Sequence, residues 1–350
     1  MHITHVNFAK GFRGGERQTL NLIEGLATLG MSQILVCRRN SELQARSTAI
    51  GIATQGLSHP LLGHLSVQAT QVIHVHEARG AYWAALERFF RGTPYLITRR
   101  IPNPLSGTAL TRFVYKNAAQ LVGVSDDVAG RLEKTIGRTP RTILDSSTTL
   151  PVNREKTAAI RAMLGEGPVI GHVGALQDHH KGQSILIEAF RRVSLSHPNA
   201  RLLLVGEGPD RERFEQLAAG DPRIVFAGFQ QNVGDWIAAM DVFAFPSREE
   251  GLGSSVLDAM LIGVPAVTSA AGGLPELNVN QKTTLMVESL CPADWASAIR
   301  HLLSDPEYRS RLIESARSFA QTNDVAAMTE RYVSVYRELL SRSCCADPIQ

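Results

Sequence analysis

Short apolar runs alternate with amphipathic stretches along the whole chain. Each run is bounded by glycine, proline or polar residues, as buried parallel strands usually are. Between most runs the apolar residues recur at the helical period, for example over 18–29, 184–194 and 233–240. The predicted strands are 3–7, 33–37, 52–54, 72–75, 95–98, 121–124, 142–144, 169–173, 201–205, 224–226, 242–245, 266–268 and 284–287. This alternation predicts an α/β protein with two doubly wound parallel sheets.

A polar, proline-containing stretch over 146–153 interrupts the alternation. It predicts a boundary between a Rossmann-like domain over 1–150 and a second one over 151–322. The last two amphipathic stretches, 306–319 and 325–340, are followed by no strand. Residues 323–350 are therefore expected to form a terminal helix and a tail.

Composition narrows the class of protein. The 350 residues suffice for two domains, and 44% hydrophobic with 20% charged residues is typical of a soluble globular protein. No apolar run is long enough to span a membrane, and the first residues lack a signal-peptide pattern. The four cysteines have neither zinc spacing nor a disulfide framework. We expect a cytoplasmic protein.

Charge is divided unevenly between the two halves. Residues 1–150 hold 17 Lys and Arg against 9 Asp and Glu, whereas residues 151–350 hold 19 against 24. A basic first half favours an anionic partner such as a membrane face or a phosphorylated acceptor, although surface arginines can also serve solubility alone. Nucleic acid is not expected, because the basic residues are scattered and no nucleic-acid reading motif is present.

The segment 242–276 carries the strongest chemical signal. An apolar strand ends in a loop that contains a carboxylate and two glycines, and a helix begins directly after it. Backbone N–H groups at a helix start favour phosphate, and carboxylates accept hydrogen bonds from sugar hydroxyls. The segment therefore predicts a site for a phosphorylated sugar. Its predicted ligand-binding residues are Glu250, Gly251, Leu252, Gly253, Ser254 and Asp258.

These residues resemble the donor site of the retaining GT-B glycosyltransferases of family 4. The resemblance extends from Pro246-Ser247 and Glu250-Gly251-Leu252-Gly253 through Gly263-Val264-Pro265 to Gly272-Gly273-Leu274-Pro275-Glu276. It implies two Rossmann-like domains facing a central cleft, with a C-terminal helix that crosses back to the first domain. It also implies that Glu250 positions the sugar or phosphate and Asp258 the ribose. The family usually has Glu where this chain has Asp258.

Several glycines, one lysine and one phenylalanine complete the donor site that the resemblance implies. They are Gly14, Gly15, Gly174, Lys181, Gly206, Gly208 and Phe229. In the family a Gly-Arg-Leu…Lys-Gly stretch neutralises the diphosphate, and Lys181 matches its lysine. The arginine position is occupied by Ala175, a departure from the two-cation pattern, and His179, His180 and Arg248 are the candidates for supplying the second positive charge. Phe229 is interpreted either as a contact to the nucleobase or as a core residue.

Two strand ends of the first domain carry polar residues that are expected to meet the ligand. His76 is a candidate catalytic residue, and Arg79, Arg99 and Arg100 are candidates for binding the acceptor. The pair Asp126-Asp127 follows Ser125 and reads as an ordinary helix N-cap, so no metal site is predicted.

The resemblance implies transfer of a sugar from a nucleotide-diphosphate sugar, most simply a UDP-sugar, with retention and without metal or other cofactor. The expected acceptor is an anionic or lipid-linked envelope glycan, such as lipopolysaccharide core or capsule. Peripheral contact with the inner membrane face is compatible with the basic first half. A non-catalytic sugar-nucleotide binder, a GT-B epimerase and a phosphorylase are the alternatives.

Overall fold

The structure is a computed structural model, and it describes residues 1–59, 64, 70–105 and 108–344. The chain divides into two compact units, Met1–Ser146 with Asn323–Gln350 and Ser147–Thr322. The first division falls at Ser146, whereas the sequence pattern predicts it near residue 150. Ser147 already belongs to the second unit, where its hydroxyl donates to the Ala320 carbonyl at 2.7 Å.

The first unit is built on one parallel sheet. Its strands are β1 (His2–Asn7), β2 (Ser32–Arg38), β3 (Ala53–Leu57), β4 (Val72–Val75), β5 (Tyr95–Arg99), β6 (Gln120–Gly123) and β7 (Arg141–Thr142). Its first five helices are α1 (Gly14–Thr28), α2 (Glu42–Ala49), α3 (Ala78–Arg91), α4 (Ala109–Lys116) and α5 (Asp126–Ile136). The strand order is β3-β2-β1-β4-β5-β6-β7. This order reverses direction beside β1, which is the usual place for a ligand in doubly wound sheets.

The second unit is built on a six-stranded parallel sheet with the order β10-β9-β8-β11-β12-β13. Its strands are β8 (Val169–Val173), β9 (Arg201–Val205), β10 (Ile224–Gly228), β11 (Val242–Phe245), β12 (Ala266–Ser269) and β13 (Leu285–Val287). Its helices are α6 (Arg154–Leu164), α7 (Asp178–Lys181), α8 (Gln183–Val193), α9 (Arg211–Ala218), α10 (Val233–Ala238), α11 (Ser254–Ile262), α12 (Pro292–Ser304) and α13 (Pro306–Thr322). Short 3-10 helices cover Leu274–Leu277 and Val279–Gln281.

The last helix, α14 (Val325–Cys344), packs on the first unit. Its apolar residues, among them Met328, Tyr332 and Tyr336, are buried against Leu22 of α1 and Val72 of β4. The opposite face of the same sheet is covered by α3, α4 and α5. The sheet is therefore buried on both faces, which explains why β4 and β5 lack the alternation of exposed and buried residues.

The predicted fold class is confirmed: two parallel α/β sheets are each covered by helices, and the last helix returns to the first unit. The predicted strands are all present in the described residues, with ends shifted by a few positions. None of the helices in the described part of the chain has both the length and the apolar character needed to cross a bilayer.

Candidate functional site

In the second unit, the loops after β8 and β11 bring a lysine and a carboxylate together. The Nζ of Lys181, at the end of α7, forms an ion pair with Oε2 of Glu250. The Ser247 hydroxyl lies 3.4 Å from the same carboxylate oxygen, and the Lys181 ammonium lies 5.0 Å above the Phe245 ring. Both charged side chains stay partly exposed, at 21% and 15%. A ligand that enters at these strand ends therefore meets one cation and one carboxylate held side by side.

Glycines at the strand ends of the second unit bring backbone close to backbone, and a Cβ on Gly182 or Gly272 would clash with the carbonyl oxygen of Pro246 or Glu250, respectively. Gly206 has a φ of +138°, a conformation that side chains with a Cβ rarely adopt, and its N–H donates to the Gly228 carbonyl at 2.9 Å. Gly174 donates to the Val205 carbonyl at 3.0 Å, and Leu176 donates to the Glu207 carbonyl at 3.1 Å. These bonds hold the loops after β8 and β9 against each other.

Helix α11 begins where the sequence predicts it. Gly253 at its N-cap has a φ of +97°, and Ser254 is the first helical residue. Asp258 lies one turn further on and is only 1% exposed, so its side chain is not accessible to a ligand in this conformation. Phe229 is 63% exposed, which excludes the alternative interpretation of this residue as part of the core.

Arg248 is the best candidate for the positive charge that an arginine at the position of Ala175 would have supplied. The backbone N–H of Arg248 donates to the His180 carbonyl at 2.7 Å, while its side chain is exposed and forms no ion pair within the described residues. His180 faces Glu249 at 3.3 Å and stacks on His179 with ring centroids 3.7 Å apart. Arg248 is therefore the cation near Lys181 that remains available to a ligand.

A buried histidine that the sequence reasoning missed holds β8 against β11. Nδ1 of His172 donates to the Ala244 carbonyl at 3.0 Å, and the Gln183 side chain lies 3.4 Å from Nε2. Burial lowers the pKa of His172 to about 4, so the ring is neutral at pH 7. A histidine inside an otherwise apolar strand was the available signal. Its role is to support the two strands whose ends carry the lysine and the carboxylate.

In the first unit, polar residues lie together on the face of the sheet that α1 and α14 cover, because every second residue of a strand points to the same face. His74 and His76 alternate with Val75 along and beyond β4, and His5 of β1 pairs directly with His74. Arg100 follows β5 in the same phase as Thr98. The three histidines are buried, and burial is the main reason that their pKa values are lowered, to about 3 for His5.

Hydrogen bonds among these residues run in one direction. The Arg100 guanidinium can only donate, so Nδ1 of His76, 3.3 Å from Nη1, accepts. Nε2 of His76 then carries the hydrogen and donates to Nδ1 of His5 at 2.9 Å. Nε2 of His5 donates in turn to the Gln33 carbonyl oxygen at 3.2 Å, and the Gln33 amide donates to the Ile23 carbonyl at 2.7 Å. Both ring nitrogens of His76 are used, so its geometry suits positioning of Arg100 better than proton transfer.

Arg100 is a buried cation with one N–H group to spare. Its Nε donates to Asp145 at 3.0 Å, and this carboxylate holds the pKa of the guanidinium above its usual value despite burial. Nη2 is buried and has no hydrogen-bond partner among the described residues. Its Cδ lies 3.7 Å from the position that a side chain on Gly15 would occupy. Arg100 therefore adjoins the Gly14–Gly15 start of α1, where backbone N–H groups also favour an anion.

The other two candidate arginines differ from Arg100. Arg99 points to the opposite face of the sheet, where its Nη2 donates to the Asn103 carbonyl and the side chain is buried beside Tyr115. Arg79, in the first turn of α3, has an exposed side chain with no ion pair within the described ranges. The geometry thus leaves Arg79 and Arg100, rather than Arg99, able to meet a ligand.

His5, His74 and His76 could together offer a metal ion three nitrogen atoms that lie within 4.8 Å of one another. The two ring nitrogens of His74 form hydrogen bonds with the hydroxyls of Tyr336 at 2.6 Å and Thr98 at 2.8 Å. The rings of His5 and His76 belong to the series of hydrogen bonds that includes Arg100. A divalent cation would have to break several of these bonds beside a buried guanidinium. The residues therefore fit a hydrogen-bonded network better than a metal centre.

Comparison with known proteins identifies the class. Residues 167–305 match the family model described as Glycosyl transferases group 1. The structure of HepE from Anabaena, solved in complex with UDP and glucose, superimposes with a TM-score of 0.85 and 18% identity over 96% of this chain and 99% of that one. Residues 167–305, within the second unit, are thus similar to the glycosyl transferases of group 1, and the chain has the GT-B fold.

Two curated relatives give the level of sequence similarity. The sulfoquinovosyl transferase of Arabidopsis thaliana is 33% identical over 54% of this chain and 37% of its own length. A D-inositol 3-phosphate glycosyltransferase of Segniliparus rotundus is 29% identical over 77% of this chain and 65% of its own length. The chain therefore matches less than two thirds of the length of either relative.

Proposed function

We propose that the protein is a glycosyltransferase that moves a sugar from a nucleotide-diphosphate sugar to an acceptor hydroxyl. The observation that carries this proposal is the Lys181–Glu250 ion pair at the strand ends of the segment that is similar to the group 1 transferases. A lone lysine or glutamate is common on a surface. A partly exposed pair at the strand ends, with Gly182 and Gly272 packed against its loops, suits a ligand that combines a diphosphate with a sugar.

In the proposed reaction, the bond between the anomeric carbon and the diphosphate oxygen breaks, and the diphosphate leaves with the electron pair. Lys181, the N–H groups at the start of α11 and those of the glycine loops stabilise the growing negative charge. Glu250 binds the sugar or phosphate and keeps the Lys181 ammonium in place. The acceptor hydroxyl attacks as the diphosphate departs, and its proton passes to the departing diphosphate oxygen. We assign no protein nucleophile and expect retention of the anomeric configuration.

The proposed donor is a UDP-sugar, used without metal or other cofactor. HepE, which shares the fold, was crystallised in complex with UDP and glucose, and this supports the choice of nucleotide. Positive charge for the diphosphate is available from Lys181 and, in place of the arginine missing at Ala175, from Arg248. Asp258 would bind the ribose after a local rearrangement that exposes its carboxylate.

The proposed acceptor carries negative charge and belongs to an envelope glycan or a lipid-linked glycan, which would bring the enzyme to the inner membrane face. The spare N–H of Arg100 and the exposed Arg79 are suitable contacts for a phosphate or carboxylate. The name of the D-inositol 3-phosphate glycosyltransferase also indicates an anionic acceptor for that relative.

A thermal-shift panel of UDP-, GDP- and ADP-sugars tests donor binding, because a ligand that binds only the folded state raises its melting temperature. We expect one nucleotide sugar to stabilise the wild type and to have little effect on Lys181→Ala. NMR of the product with that donor then reports the anomeric configuration. Binding without any product would favour a sugar-nucleotide binder, and formation of an epimerised nucleotide sugar would favour an epimerase.

A further inference from the structure

Helices α3 and α4 of the first unit leave an apolar and basic surface exposed. Phe89 is 81% exposed, Phe90 65%, Leu110 60% and Phe113 63%. Large apolar side chains are normally scattered singly on a protein surface, so four of them on two adjacent helices need a partner. We call this surface, formed by Phe89, Phe90, Leu110, Arg112, Phe113 and Lys116, the α3–α4 face.

Helical phase places these residues on one side of the molecule. In α4, Thr111, Val114 and Tyr115 are buried, so the remaining positions of the helix point outward. In α3, Phe89 lies seven residues after Tyr82 and therefore shares its direction, and the Tyr82 hydroxyl reaches Thr111 of α4 at 2.7 Å. The two helices lie side by side on the same face of the sheet, and their outward aromatic residues project from one layer.

Helix α4 contains basic residues and no acidic residue. From Arg88 to Ser125 the sequence contains no aspartate or glutamate, whereas it contains six lysines and arginines. Two of these, Arg112 and Lys116, have exposed side chains and form no ion pair within the described residues. The partner of the α3–α4 face must therefore accept aromatic rings and supply negative charge.

We propose that the α3–α4 face binds the surface of an anionic phospholipid bilayer. Aromatic side chains partition into the headgroup region, and neighbouring Lys and Arg side chains are attracted to anionic lipids. A second copy of the chain fits less well, because a two-fold contact would bring positive residues against positive residues. This proposal names the surface for the membrane contact suggested above, and its test does not require glycosyl transfer.

Co-sedimentation of the full chain with lipid vesicles tests the proposal. We expect binding to vesicles that mix phosphatidylcholine with phosphatidylglycerol and at least about tenfold weaker binding to pure phosphatidylcholine. The binding should weaken as salt is raised, since the basic residues are exposed. Equal binding to both vesicles, or no binding to either, would overturn the proposal.

Paired substitutions locate the surface. Arg112→Gln with Lys116→Gln should weaken binding to anionic vesicles roughly 30-fold, because each basic residue near an anionic leaflet strengthens binding about fivefold. Phe89→Ser with Phe113→Ser should weaken binding to a similar or larger extent. All four side chains are exposed, so the melting temperature should not change.

Matched controls carry equal changes elsewhere. Lys156→Gln with Lys282→Gln removes two exposed lysines of the second unit, and Leu195→Ser with Met163→Ser removes two apolar side chains that are 86% and 60% exposed. These variants should bind anionic vesicles like the wild type. The proposal fails if they lose as much binding as the paired variants. It also fails if sedimentation velocity shows a wild-type dimer that Phe89→Ser with Phe113→Ser dissociates, since the face would then join two copies.

Discussion

Replacing Lys181 by alanine separates the proposed catalytic role of this residue from its contribution to the fold. The substitution removes the ammonium that pairs with Glu250. It leaves the glycine loops intact, because their hydrogen bonds are between backbone atoms. It also removes the cation above the Phe245 ring.

The expected loss of stability is small. Both partners are partly exposed, and such ion pairs contribute only about 0.2–1 kcal/mol to folding. The expected loss of turnover is much larger, about 100- to 1000-fold, because removing one group that stabilises charge in the transition state has an effect of this size. The turnover of the double variant Glu250→Gln with Lys181→Ala should be only slightly lower than that of the less active single variant, because the two side chains act as a unit.

Steady-state release of the nucleoside diphosphate measures turnover, and thermal melting measures stability. Arg248→Ala is the control, because it removes an exposed cation near the same loop without breaking any ion pair in the described part of the chain. Its turnover should fall less than that of Lys181→Ala. Full turnover of Lys181→Ala, together with loss of turnover in Arg248→Ala, would refute the reasoning and assign the diphosphate to Arg248.

Three further predictions concern the buried groups and the proposal that transfer needs no metal. Burial lowers the pKa of His5, His74, His76 and His172, so below pH 6.5 the unfolded state binds more protons than the folded state. The free energy of unfolding, measured with urea, should therefore be lower at pH 5.5 than at pH 7.5 by about 1.4 kcal/mol for each histidine. Arg100→Gln leaves Asp145 buried without its partner, so it should lower the free energy of unfolding by about 3–5 kcal/mol, and adding Asp145→Asn should recover part of this loss. Transfer should persist in EDTA; loss that Mg²⁺ or Mn²⁺ restores would contradict the proposed metal-free reaction.

Much of the fold could be predicted from the sequence because buried parallel strands leave a strong local signal. The strand predicted at 242–245 matches β11 at both ends, and the helix start near Ser254 follows from the glycine before it. The short β7 was predicted at 142–144 and lies at Arg141–Thr142. A two-residue edge strand has too few side chains to define its ends, so only its approximate position could be predicted.

The candidate site was less predictable, since its contacts join distant parts of the chain. Tyr336 reaches His74 across 262 positions, and no local pattern indicates this pairing. The different directions of Arg99 and Arg100 could have been inferred, because neighbouring residues of a strand point to opposite faces. The α3–α4 face also left a sequence signal, in the Arg88-Phe89-Phe90-Arg91 run and the absence of acidic residues after it.

The most direct test of the central claim is the release of nucleoside diphosphate from UDP-, GDP- and ADP-sugars by the wild type and by Glu250→Gln. Water serves as a slow acceptor, so the measurement does not depend on knowing the natural one. A glycosyltransferase should turn over at least one of these donors, a UDP-sugar in our proposal, and Glu250→Gln should reduce the rate on the order of 100-fold. Binding of a nucleotide sugar without any turnover by the wild type, or equal turnover by Glu250→Gln, would contradict the proposed function of the Lys181–Glu250 site.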